Sequence, residues 1–281
     1  MMRLKLSLKN TVRAVLWFSI STIFLKCSFP TEPTYKKKEI AKKIEEICQR
    51  EYNLKVITKS SHNTLWIYTP LPRLLHNNFG IDKEKFLDEE VTNQLRRIII
   101  TIGRVFLSAD TPPEFYGIIA SDINIGIDYI LIGNTLDIKK SYAGFLPWPE
   151  ANRRYLVKME INPEAISDET GDHINPYDIK LEDFLTQQIA QRITMRFQDE
   201  ELKRYFQADK VSGNFDNETF IFEYKIKKLK DSKFKIEDEI IKIISYVLNS
   251  YEFEKYLNVE IKDVYSNNKI ILSKAKLKGI K

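Results

Sequence analysis

From residue 36 to residue 52, apolar side chains stand at Ile40, Ile44 and Ile47, a spacing that gathers them on one face of a helix. A strand over residues 54–58, a polar turn at Ser60-Ser61-His62-Asn63 and a second strand over residues 64–68 follow. The same order returns near the C-terminal end. Ile236, Ile240, Ile243, Ile244, Val247 and Leu248 mark a helix, and residues 259–262 and 269–272 read as strands around the turn Ser266-Asn267-Asn268. Tyr52, Leu54 and Val56 precede one hairpin as Tyr256, Leu257 and Val259 precede the other, so a helix-plus-hairpin unit is read as an internal repeat.

A longer version lies between them. Leu87, Val91, Leu95, Ile98, Ile102 and Val105 form one stripe of a helix expected over residues 83–107. Beyond Pro112-Pro113, residues 115–120 and 127–132 are almost continuously apolar, which predicts strands covered on both faces at the centre of a sheet. Later segments alternate instead. Tyr155, Val157, Met159 and Ile161 oppose Arg154, Lys158 and Glu160, and Phe220, Phe222, Tyr224 and Ile226 oppose Thr219, Glu223 and Lys225, so both segments are expected to be half-buried strands with the apolar row inward. A helix over residues 181–206, with Leu185, Ile189, Ile193 and Phe197 on its buried face, is expected to join them. The sum is an α+β fold of repeated helix-hairpin units, with helices packed on mainly antiparallel sheet. Two subdomains are expected, residues 36–145 and 146–281, meeting near Gly144-Phe145-Leu146-Pro147-Trp148-Pro149.

The N-terminal pattern changes the picture from fold to address. Arg3, Lys5, Lys9 and Arg13 precede an uncharged apolar run over residues 14–25, shorter than the roughly 20 residues a membrane-crossing helix needs. Residues 1–26 therefore read as a signal peptide and residues 27–35, with Pro30 and Pro33, as an extended tether. Cys27, directly behind the signal core, is the expected lipidation site. Lys26 stands where lipoproteins carry a small residue, and an uncleaved signal anchor is the second reading. The net charge of +5 belongs to this segment, since its five basic residues meet no acid and leave 39 basic residues against 39 acidic ones. A neutral body gives no ground for a nucleic-acid partner. The expected address is the cell envelope, on the periplasmic or surface face, anchored to a membrane through the N-terminus.

The helix-plus-hairpin outline is loosely similar to small envelope modules such as the BON domain. A closer resemblance is to a group of lipoprotein-like sequences from uncultured bacteria, carried by Ile44-Glu45-Glu46-Ile47-Cys48, Thr64-Leu65-Trp66-Ile67-Tyr68, Leu95-Arg96-Arg97 and Asn268-Lys269-Ile270-Ile271-Leu272. It implies export and carries no activity.

The search for chemistry returns few residues. The sequence has no phosphate loop ending in Gly-Lys-Ser/Thr, no Gly-x-Ser-x-Gly elbow and no His-Glu-x-x-His pair, and its three histidines, His62, His76 and His173, lie far apart. Cys48 falls beside Ile47 on the first helix and reads as a small buried apolar residue. Asp168-Glu169-Thr170-Gly171-Asp172-His173 could hold a divalent cation through Asp168, Glu169, Asp172 and His173, with the imidazole as a base, or could be an ordinary surface turn. Phe145 and Trp148, followed by Arg153 and Arg154, could contact a partner or pack in the core. With no catalytic residue or cofactor assigned, the expectation is a non-enzymatic binding or assembly module with an envelope protein as partner. A metal-assisted envelope hydrolase using residues 168–173 is the alternative.

Overall fold

The computed structural model describes residues 33–76 and 86–280. The expected signal peptide, most of the expected tether and Cys27 lie outside the described residues. The chain enters at Tyr35, whose N–H donates to the Ser108 carbonyl at 3.1 Å and whose carbonyl accepts from Asp110 at 3.0 Å. Tyr35, expected in the tether, is thus tied to the body.

Helix α1 (Ile40–Tyr52) leads into the hairpin β1 (Ile57–Ser61) and β2 (Thr64–Leu71), with a turn of two residues, His62 and Asn63. Helix α2 (Glu89–Leu107) starts where Asp88 accepts the Glu90 N–H at 3.0 Å, the side-chain oxygen satisfying an otherwise orphaned donor. It is followed by β3 (Phe115–Asp122) and β4 (Ile127–Asn134). Two short helices, α3 (Thr135–Tyr142) and α4 (Trp148–Arg154), then lead to β5 (Leu156–Ile161). The second half comprises α5 (Leu181–Gln198), β6 (Phe206–Asp216), β7 (Thr219–Lys228), α6 (Ile236–Ser250), β8 (Asn258–Asp263), β9 (Lys269–Ser273) and α7 (Lys274–Lys278).

The strands form two mixed sheets, β1-β2-β3-β4-β5 and β6-β7-β8-β9. In each, two antiparallel hairpins join side by side through one parallel pair, β2 with β3 and β7 with β8. A parallel neighbour needs a crossover, and α2 and α6 supply it. The helix-plus-hairpin unit therefore occurs four times, as two copies of hairpin, helix, hairpin, each preceded by a helix. The expected helix over residues 181–206 stops at Gln198, and β6, which the sequence reading lacked, begins at Phe206. Strand β5, expected beyond the subdomain boundary at residue 146, completes the first sheet by pairing antiparallel with β4.

One core lies between α1, α2 and a face of the first sheet, where Leu65, Ile67, Tyr116, Ile118 and Leu131 meet Ile44, Ile98 and Ile102. Cys48 is fully buried and unbridged there, as expected. The opposite face, with Trp66, Phe115, Ile119, Ile132 and Leu156, packs into a second core shared with α5, α6 and the inner face of the second sheet. Helix α5 is the wedge between the sheets. Its Phe184 ring lies 5.2 Å from Phe115 on one side, and its Phe197 ring lies 5.6 Å from Phe206 on the other. This double cover is why every residue of β3 is buried.

Candidate functional site

Residues 162–180 have almost no regular structure because side chains hold them as a strap across the second face of the first sheet. Trp66 Nε1 donates to the Tyr177 carbonyl at 2.8 Å, and Lys59 Nζ donates to the carbonyls of Gly171 and Ile174 at 2.6 and 3.0 Å. At the strap's turn, Asp168 Oδ1 accepts the N–H groups of Thr170 and Gly171 at 2.8 and 2.7 Å. Its Oδ2 accepts the His173 N–H at 3.0 Å and lies 2.5 Å from His173 Nδ1. Gly171 adopts φ +70, and a Cβ there would come within 2.8 Å of the Tyr68 ring, so glycine is required on both counts. The Tyr68 hydroxyl donates to the Asp168 carbonyl, and its ring meets that of His173 edge-on at 5.4 Å.

On the far side of the imidazole, Nε2 is 3.6 Å from Asp128 Oδ2 without a hydrogen bond. Asp128 in turn accepts from the Ser121 hydroxyl and, at 2.7 Å, from Asn162 Nδ2. The two aspartates, the serine and the histidine resemble catalytic machinery in composition only. The His173 side chain is 4% exposed, and a general base must come within reach of its substrate. Burial opposes ionisation of Asp168, but the donors from the His173 backbone and ring and from Thr170 outweigh it and hold this carboxyl well below the usual carboxylate range. Burial, followed by the neighbouring Asp168 charge, pushes the Tyr68 hydroxyl up to about 12, which keeps it a donor.

Of the four residues expected to share a cation, Asp168 and His173 come together. Glu169 is drawn off to Lys55 at 3.1 Å, and Asp172 shares the Thr170 hydroxyl, at 2.8 Å, with Asp168, at 2.9 Å. Among the described residues, no group of three or more His, Cys, Asp or Glu is arranged to hold a metal ion. Asp128 and Ser121, which complete the buried cluster, stand 40 and 47 residues before Asp168 in sequence, and the β3–β4 pairing sets them opposite each other. The arrangement locks the strap in place.

The second candidate is the corner between α3 and α4. Asn134 caps α3 by accepting the Leu136 N–H at 2.8 Å. The helix ends in a Schellman turn, in which Gly144 takes φ +77, its N–H donates to Ser141 at 3.1 Å, and the Phe145 N–H donates to Lys140 at 2.8 Å. Pro147 and Pro149 then stiffen the entry into α4. Leu146 turns inward, whereas Phe145 is 83% and Trp148 43% exposed, with the indole edge-on to Tyr142 at 5.5 Å.

The two arginines of the corner separate. Arg153 is exposed and makes no ion pair among the described residues. It borders a cleft of about 400 Å³ between α5 and α6, together with Met195 and Tyr246. Arg154, expected at a partner contact, is buried instead. Its Nη1 donates to Asp137 Oδ1 at 2.7 Å, its Nε donates to Glu150 Oε1 at 3.2 Å, and it lies over the Tyr251 ring at 5.2 Å. Tyr251, at the end of α6, donates its hydroxyl to the other oxygen of Asp137, and Gln188 on α5 donates to the Arg154 carbonyl at 2.7 Å. Burial alone would weaken the guanidinium's hold on its proton, but the Asp137 carboxylate outweighs it and raises the affinity. Arg154 thus pins the first sheet's short helices to α5 and α6.

Among the described residues, no helix is long and apolar enough to cross a membrane. Comparison with family models, curated proteins and solved structures returned no match.

Proposed function

We propose that the chain is a non-enzymatic binding module of a bacterial cell envelope, held to a membrane through its N-terminus. It captures an envelope protein on the corner formed by Phe145 and Trp148. The observation that carries this reading is the pair of aromatic side chains held outward on a corner that a Schellman turn and two prolines make rigid. Apolar side chains set side by side at a surface mark contact sites, and rigid aromatic anchors lose little entropy on docking. The burial of His173 and the pairing of Glu169 with Lys55 give the hydrolase alternative no support.

The test places a photo-cross-linking residue at Phe145 in the full chain, expressed in its host. One envelope protein is expected to be captured, with the yield falling at least tenfold in Trp148→Ala at an unchanged melting temperature. Equal yields from the parent and Trp148→Ala would refute the role of the corner. Labelled fatty acid incorporated by the parent and lost in Cys27→Ser tests the anchor separately.

A further inference from the structure

Strand β5 is built the wrong way round for a lone edge. The odd residues Val157, Met159 and Ile161, expected to face inward, are 41%, 43% and 84% exposed. They continue the sheet face lined by Leu131, Tyr129 and Ile127, past the area that α1 and α2 cover.

The backbone on this side is also open. Asn162 donates to Gly126 at 2.8 Å, so the even residues of β5 turn their amides toward β4 and the odd ones turn theirs away. Of the outward groups, the Val157 N–H donates to Gln191 Oε1 at 3.0 Å. Among the described residues, nothing bonds the outward amides of Met159 and Ile161. The other sheet edges are guarded. β1 is polar and its Lys59 is spent on the strap, β6 carries a bulge between Ala208 and Lys210, and β9 is only five residues long and runs directly into a helix.

We infer that β5 is an interface with a second copy of this chain, paired antiparallel about a two-fold axis at Met159 to join two five-stranded sheets into one of ten. The sequence Leu156-Val157-Lys158-Met159-Glu160-Ile161 is self-complementary in this register and in no neighbouring one. Lys158 falls opposite Glu160 of the second copy and Glu160 opposite its Lys158, at non-hydrogen-bonded positions where side chains approach most closely. Val157 meets Ile161 and Met159 meets Met159 on the apolar side. A register centred on Glu160 would set like charges against each other. Met159 exchanges two backbone hydrogen bonds with its counterpart, and Val157 and Ile161 opposite exchange two more once the Gln191 side chain yields the Val157 N–H. An interface that maps one patch onto itself closes at two subunits. A single strand pair falls short of the ~1,600 Å² of a typical stable interface, so the dimer is reversible and concentration-dependent. This inference does not depend on the function proposed for the Phe145 corner.

The test uses the full chain in mild detergent. Sedimentation is expected to show a concentration-dependent dimer that is lost in Lys158→Glu and in Glu160→Lys, and restored when both changes are made in one chain. In the paired register, the two Cα atoms at position 159 lie about 5.5 Å apart, within disulfide reach. Oxidised Met159→Cys should therefore yield a covalent dimer well beyond the parent's background. Ile161→Cys should not, since its counterpart lies four residues away along the strand, at ~13 Å. A parent that stays monomeric at every concentration overturns the pairing. A dimer indifferent to the charge reversals, or cross-linked as well through position 161 as through 159, overturns the register.

Discussion

The two sheets have the same order of hairpin, helix and hairpin, yet they meet water differently. The first is covered by α1 and α2 on one face and by α5 and the strap on the other, and β2 and β3 are buried along nearly their whole length. The second turns Phe220, Phe222, Tyr224 and Ile226 inward and leaves Glu223, Lys225 and Lys227 in solvent. One topology thus tolerates two patterns. The pattern records what lies over a strand, and the pairing order is decided by the helices that carry the chain from one hairpin to the next.

The largest test of this contrast is at the seam where the first half grips α5 and α6. Asp137→Ala leaves the buried Arg154 guanidinium with Glu150 alone, strips the Tyr251 hydroxyl of its acceptor, and should lower stability by about 3–5 kcal/mol, measured by denaturant unfolding. A loss below ~1 kcal/mol would mean that the two halves do not depend on this joint.

A smaller effect is expected where the strap closes the first sheet's second face. Asp168→Asn should cost about 1–3 kcal/mol at pH 7. Because the folded state holds this carboxyl below its ordinary value, its contribution is complete above the unfolded pKa of about 3.9 and is lost as the pH falls toward the folded value. The stability difference between parent and variant should therefore hold from about pH 7 to 5 and shrink below about pH 4. A difference that stays constant down to about pH 2.5 would show that the charge of Asp168 does not hold the strap. The smallest effect belongs to the open face of the second sheet, where Lys225→Ala should stay within about 0.5 kcal/mol of the parent.

Much of the fold was legible in the sequence where burial is simple. The continuous apolar runs of β3 and β4 read as central strands, and the stripe Leu185, Ile189, Ile193 and Phe197 read as the buried face of a helix. Strand β6 escaped because its outer side chains meet water and Gly213, Asn214 and Asp216 weaken its alternation. It gains its place from pairing with β7. Strand β5 misled in the opposite way, since alternation reveals two unlike faces without saying which of them is covered. The site was legible only locally. Asp168 and His173 are five residues apart and could be paired on paper, whereas Asp128 with His173, or Asp137 with Tyr251, are joined only by the tertiary fold.

Helix α5 fills the space between the sheets, and this bears on how the chain matures. A polypeptide emerging N-terminus first has all five strands of its first sheet synthesised before residues 181–198 have arrived. Until they do, Phe115, Ile119, Ile132 and Leu156 lack the helix that covers them, and only the strap, through Ile174 and Tyr177, lies across that face. The late segment acts as a keystone, and any holding factor that attends the nascent chain has its greatest purchase in the interval before that keystone drops in.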